Sequence, residues 1–296
     1  MSRPDAAWRT QRVPSLSMAK RATVEFVLRP FEGLPGEPDW VAMREVVPAA
    51  TGTVRTTKEY GSRDVVIATI LPSAWPAVHR GDGAILLALQ QHAGSGDASR
   101  DLADLLLQAL ELPAGTPITS TRLPEPGPRL QDVLDLSVPF EVTVHDGFDF
   151  WTAEGADITP EVAASLERMN ETIIPTRRLT SVDAAYWARM GDREYLRWGM
   201  PHDEQDFLDA LARLHAVRRS GLGESGSIGK FIGAFRSCGI LVPVWDLAVG
   251  TDAAALEEPV SALGERLAEA LAVSGPLDAN QRRARAGLVA RQLTLR

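Results

Sequence analysis

The chain has 296 residues, 45% of them hydrophobic and 24% charged, with a formal net charge of -8. These values lie within globular bounds and allow a substantial core, as one large domain or two small ones. The single cysteine, Cys238, excludes an internal disulfide; no apolar run approaches the roughly 20 residues of a spanning helix, and the start lacks the apolar centre of a secretory signal, so a cytoplasmic protein is expected.

Residues 1–22 are polar, without period, and carry Pro4 and Pro14, so a disordered basic arm is expected there. An N-terminal α+β lobe is expected over 23–112. It opens with a strand at Thr23–Leu28, followed by a short helix capped by Asp39 that carries Trp40, Met43 and Val47 on one face. Alternation through Thr53–Thr57, a Gly61-Ser62 turn and the run Val65–Leu71 predict a hairpin. Gly81-Asp82-Gly83 predicts a turn into a buried strand at Ala84–Gln90, and Ser99–Leu110 a helix with Leu102, Leu105, Leu106 and Ala109 on one stripe. Residues 113–138, rich in proline and glycine, predict a linker.

A second α+β lobe is expected over 139–250. It has a strand at Phe140–Val144, a helix opened by Thr159-Pro160, a hairpin over 183–199 turning at Gly191-Asp192, and a helix over Asp203–Arg218. Phe231–Phe235 fits either a helical or a strand period, and Pro243 predicts that Ile240–Trp245 is an edge strand. Residues 251–296 predict two terminal helices, the second rich in arginine. The expected fold class is α+β: two similar lobes of hairpins or small antiparallel sheets packed by amphipathic helices, with a helical C-terminus. Pro-Phe-Glu recurs at 30–32 and 139–141, a β-branched pair plus proline at 46–48 and 173–175, and Gly-Asp at 81–82 and 191–192, an order that fits either an ancient duplication or coincidence.

Charge is unevenly distributed. Residues 1–29 hold six bases against two acids, and residues 278–296 five arginines against one acid. Each end thus has a surplus of four, so the body between carries -16 of the total of -8. Basic ends on an acidic body serve an anionic partner or fold back on the body.

No complete catalytic motif is present. Gly221-Leu222-Gly223-Glu224-Ser225-Gly226 matches G-x-G-x-x-G but follows a helix instead of a strand, and near Gly229-Lys230 a phosphate loop lacks both its first glycine and its hydroxyl residue. The histidines at 79, 92, 145, 202 and 215 have no metal-ligand spacing, and Ser227 lacks the glycine of a nucleophile turn. His215 is expected as a hydrogen-bonded boundary residue and Cys238 as a buried reduced thiol. The most unusual local chemistry is the set Glu32, Glu37 and Asp39 in a loop stiffened by Pro30, Pro35 and Pro38, followed by Arg44 and Glu45. Clustered carboxylates of this kind hold a magnesium ion or a raised acid, or else pair with Arg29 and Arg44 and cap a helix. Trp187, Tyr195 and Trp198 among Arg189, Arg193 and Arg197 fit either a stacking surface for single strands or a sheet with one solvated face.

The block from Arg29-Pro30-Phe31-Glu32-Gly33-Leu34-Pro35-Gly36-Glu37 through Asp39-Trp40-Val41-Ala42 to Val47-Pro48-Ala49-Ala50-Thr51 resembles an actinobacterial family catalogued as a domain of unknown function. Leu71-Pro72, Ala74-Trp75-Pro76, Leu241-Val242-Pro243-Val244-Trp245 and Arg291-Gln292-Leu293 extend the resemblance over nearly everything after residue 22. It implies no activity. Members often bear the labels preprotein translocase subunit or topoisomerase; the broken phosphate loop, the lone cysteine and the settings of Tyr60, Tyr186 and Tyr195 support neither. The leading expectation is a non-enzymatic interaction or regulatory protein with a protein partner, no predicted cofactor and no membrane insertion. The rival is a small-substrate or metal-dependent enzyme using Glu32, Glu37, Asp39 and Arg44, and a third reading is a weak nucleic-acid binder working through the basic termini.

Overall fold

The computed structural model describes residues 24–91, 94–120, 126–153, 155 and 158–291. One sheet has six strands: β1 (Ala50–Arg55), β2 (Asp64–Ala68), β3 (Ala77–His79), β4 (Ile85–Ala88), β5 (Thr116–Ile118) and β6 (Val142–Val144), in the order β5-β3-β4-β2-β1-β6. Only its β2–β4 pair is parallel. The other sheet is antiparallel throughout, with β7 (Thr176–Arg178), β8 (Ala185–Met190), β9 (Arg193–Trp198), β10 (Gly229–Ser237) and β11 (Ile240–Leu247) in the order β10-β11-β9-β8-β7. The helices are α1 (Glu37–Glu45), α2 (Ala98–Glu111), α3 (Leu130–Val133), α4 (Pro160–Glu171), α5 (Glu204–Ala216), α6 (Glu257–Leu271) and α7 (Ala279–Val289). The protein is therefore mixed α+β with a helical C-terminus. No helix among the described residues is long and apolar enough to cross a membrane.

Strand alternation sorts side chains into three cores. Val65, Ile67, Ile85 and Leu87 of the first sheet meet α1, α2 and α3, and the same core receives Tyr186, Phe235, Val242 and Val244 from the second sheet. The opposite face of the first sheet, through Leu86 and Ala88, packs on Phe148, Trp151 and Leu166 of α4. The opposite face of the second, through Trp187, Leu196, Trp198 and Trp245, packs on α5, α6 and α7. Both sheets are thus covered on both sides, which is why their central strands β2, β4 and β11 read as nearly continuous apolar runs. Four helices start at polar caps: the carboxylate of Asp97 accepts from the Ser99 and Arg100 amides of α2, Thr159 caps α4, Asp203 caps α5, and Asp278 forms a reciprocal box with Gln281 of α7.

The helices and hairpins read from pattern are present, but several local expectations are corrected. Residues 24–28 form no strand; the extended segment makes one backbone bond, Val27 N–H to the Gly96 carbonyl at 2.9 Å. Asp39 does not cap α1, because the helix already begins at Glu37 after Gly36 turns the chain at φ 66°. Pro243 lies in an interior strand. β11 runs between β10 and β9, and its ladder to β9 stops at Val244 and resumes only at the Leu241–Met200 bridge, so no bond is demanded of the missing proline N–H. The ambiguous period of Phe231–Phe235 has a cause: a bulge between Phe231 and Gly233 shifts the alternation, so Phe231 and Ala234 face the same core. Cys238 is half-buried in the β10–β11 turn at φ 46°, not inside an apolar strand.

The span 113–138 supplies β5, paired with β3, and α3, packed on α2. The chain passes from the first sheet to the second between α4 and β7, since β6 pairs with β1. The second Pro-Phe-Glu therefore serves the first lobe: Phe140 stacks on Trp40 and fills the space above Gly52, where an added Cβ would lie 2.4 Å from its ring. The two lobes share materials but differ in wiring. The expected arm over 1–22 lies outside the described residues.

Candidate functional site: a cleft between the two sheets

An opening of about 1270 Å³ lies between the sheets at the start of α1. Three chain segments converge on it: the 33–39 turn, the 136–143 approach to β6, and the ends of β7, β8 and β9. The proline-rich turn is fixed from inside, because Trp40 Nε1–H donates to the Pro35 carbonyl at 3.1 Å and Trp40 is sandwiched between Phe31 and Phe140. Trp198, Met200, Leu136 and Phe140 give the cleft apolar surface.

The four candidate residues read from sequence do not converge. Asp39 and Glu37 line the cleft, and each is already engaged. The Arg178 guanidinium donates to Asp39 at 3.0 and 3.3 Å, and the Tyr186 hydroxyl donates to the same carboxylate at 2.5 Å. Burial first, and the Asp39 charge second, push the Tyr186 phenol well above its ordinary pKa, so it stays a donor. Arg178 keeps its charge against partial burial because Asp39 holds its pKa up. Arg29 clamps Glu37 through Nε and Nη2 at 2.6 and 2.8 Å, and reaches the Pro201 carbonyl at 2.8 Å. Glu32 is largely exposed, 3.6 Å from Arg29. Arg44 opens on a different recess beside Glu45 and Cys238. No three His, Cys, Asp or Glu side chains form a metal-holding group among the described residues.

Two cleft carboxylates escaped the sequence reading. Glu141 and Asp183 line the opening, are exposed, and form no ion pair among the described residues. Glu141 belongs to the second Pro-Phe-Glu, which marked a repeat and not a site, and Asp183 lies in an ordinary polar stretch; the two share the cleft only through folding. The same holds for Arg178, 139 residues from Asp39.

The remaining candidates are structural. The rings of Trp187 and Trp198 are buried and half-buried Tyr195 packs against the first core, while Arg189 pairs with Glu194, Arg193 with Asp246, and Arg197 donates to the Val46 carbonyl, so these rings and bases are engaged within the fold. In the 221–229 loop the amides of Gly226, Ser227, Ile228 and Gly229 are bonded within the loop, and the loop follows α5, not a strand, so the glycine pattern is not a dinucleotide turn. Of the basic ends, Arg29 and Arg285, the latter 2.5 Å from Asp209, fold onto the acidic body; residues 1–23 and 292–296 lie outside the described residues, as does His92.

His145 and His215 add a pH dependence. His145 Nε2 is 2.8 Å from the Thr51 hydroxyl, and its pKa is lowered by burial against the opposing charges of Asp149 and Asp146. His215 Nδ1 is 2.8 Å from Ser220 Oγ, and burial, then Arg291, lowers its pKa. The unfolded chain therefore binds protons more readily than the folded one. Stability is full above the ordinary histidine value of about 6.5 and falls as pH drops below it. Thermal unfolding followed between about pH 7.5 and pH 5.5 is expected to show a falling Tm, with a shallower slope in His145→Gln.

A family model described as a family of unknown function (DUF5926) matches residues 30–296. No curated protein and no solved structure matches the chain.

Proposed function

The chain belongs to the family of unknown function DUF5926, and within it we propose that this member is a non-catalytic binding protein whose interlobe cleft receives a cationic polypeptide segment of a partner. One observation carries the reading: the buried carboxylates of the cleft, Glu37 and Asp39, are saturated by Arg29 and Arg178, whereas exposed Glu141 and Asp183 stand free beside apolar Trp198, Met200 and Leu136. Saturated carboxylates fix the walls and provide neither a free base nor a set of metal ligands. Free carboxylates beside apolar surface suit a strand or loop that alternates lysine or arginine with large apolar side chains. The body charge of -16 steers such a segment toward the protein. A cytoplasmic location belongs to the same proposal and rests on the single cysteine.

The test is fluorescence anisotropy with a panel of short peptides, basic-apolar and acidic-apolar, against the wild type and Glu141→Lys/Asp183→Lys. Saturable binding of the basic peptides that weakens at least about tenfold in the double variant is expected, equivalent to roughly 1.4 kcal/mol. Equal binding of both peptide classes, or unchanged affinity in the variant, refutes the proposal.

A further inference from the structure

A second opening, about 420 Å³, lies beyond the C-terminal end of α5, where the chain turns into the 221–226 loop. Arg218 and Arg219 approach it from the end of α5 and Arg266 from the middle of α6. Among the described residues none of the three is within 4 Å of a carboxylate, whereas Arg189, Arg193, Arg236 and Arg285 of the same lobe all have acidic partners. Arg266 Nη2 donates to the Gly221 carbonyl at 3.1 Å, but its Nε–H is buried with no acceptor. Such an orphaned donor costs stability unless something fills the position. Burial, and next the charge of Arg219, hold the Arg266 guanidinium below its ordinary pKa, against the smaller opposing charges of Glu265 and Glu269.

The backbone around this opening is held in a costly shape. Arg218 at φ 60° and Ser225 at φ 52° are non-glycine residues in the left-handed region, and both line the pocket. Gly221 cannot be replaced without rearrangement, since a Cβ there would lie 2.7 Å from the Gly226 Cα. The loop is therefore a fixed wall.

We propose that this pocket binds the phosphate group of a small phosphomonoester, with Arg218, Arg219 and Arg266 as the cationic clamp and Ser225 as a neutral donor. Guanidinium forks match phosphate oxygens in geometry and charge, and three of them suit a dianion. The volume falls in the range of small-molecule sites. Glu224, which also lines the opening, disfavours a long polyanion and suits a ligand with hydroxyl groups beside its phosphate. Arginines at the end of α5 also complement that helix's negative end, but the helix dipole does not account for Arg266, which projects from mid-helix.

The test is isothermal titration calorimetry of the full chain with glucose 6-phosphate, inorganic phosphate and glucose as probes. Saturable binding of the two phosphorylated probes, and none of glucose, is expected. Binding should weaken at least tenfold in Arg219→Ala and in Arg266→Ala, while Arg213→Ala, whose guanidinium donates to the Gly275 carbonyl outside the pocket, should bind as the wild type does. Arg219 is exposed, so its variant tests the pocket even if Arg266→Ala unfolds. No saturable binding of either phosphorylated probe, or binding unchanged in Arg219→Ala, overturns the proposal. The peptide-cleft reading is unaffected by either result, because the pocket and the cleft share no residue.

Discussion

Asp39→Ala is expected to lower the unfolding free energy by about 3 kcal/mol, seen as a reduced midpoint in urea with an unchanged slope. Two donors lose their acceptor at once. The Tyr186 hydroxyl is buried in the core between the sheets and has no water to turn to. The Arg178 guanidinium is left half-buried and uncompensated; its 26% side-chain exposure keeps the figure toward the lower end of the range for broken buried pairs. Tyr186→Phe alone should cost about 1 kcal/mol, and the double variant less than the sum, because removing the hydroxyl also removes one orphan that Asp39→Ala creates. Asp39→Asn, which retains an oxygen acceptor, should fall between wild type and alanine. The sign matters for function: a carboxylate held ready for catalysis typically costs stability, so its removal would leave the midpoint unchanged or raise it.

Trp40→Ala should have the larger effect, about 4 kcal/mol. The indole is 1% exposed, and its stacking on Phe140 at 4.4 Å and Phe31 at 5.7 Å joins the proline-rich turn to the first sheet. Its loss leaves a cavity that the rigid Pro30–Pro38 segment cannot close, and strips the Pro35 carbonyl of its donor. Because Phe140 and Pro35 also line the cleft, peptide binding should weaken along with stability. Trp40→Phe, which keeps a ring in the stack, should recover much of the loss. Chemical denaturation of the three proteins, monitored by circular dichroism, checks the order.

Much of the local structure was legible in sequence. Thr159-Pro160, Asp203 and Asp278 marked helix starts because a capping side chain bonds amides two or three residues away, and the hairpins at 81–83 and 191–192 announced themselves through turn chemistry. Those interactions are short in sequence and leave a pattern. The linker-like composition of 113–138 does not record that Thr116–Ile118 finds an open edge on β3 or that Arg129 ties the Asp97 cap to the Pro30 carbonyl.

The acidic loop shows the division most clearly. Sequence placed Glu32, Glu37 and Asp39 in one stiff, proline-bounded stretch, and offered chemistry there as the rival of ion pairing and helix capping. Pairing of Glu37 with Arg29 was readable, being eight residues apart. Pairing of Asp39 with Arg178 and Tyr186 was not, because it depends on the second sheet closing over α1. Tertiary structure alone decided that closure, and with it which carboxylates are neutralised and which, Glu141 and Asp183, stay free in the cleft. A carboxylate's chemistry is set by the charges and water within a few ångströms, and those neighbours are supplied by packing across the fold.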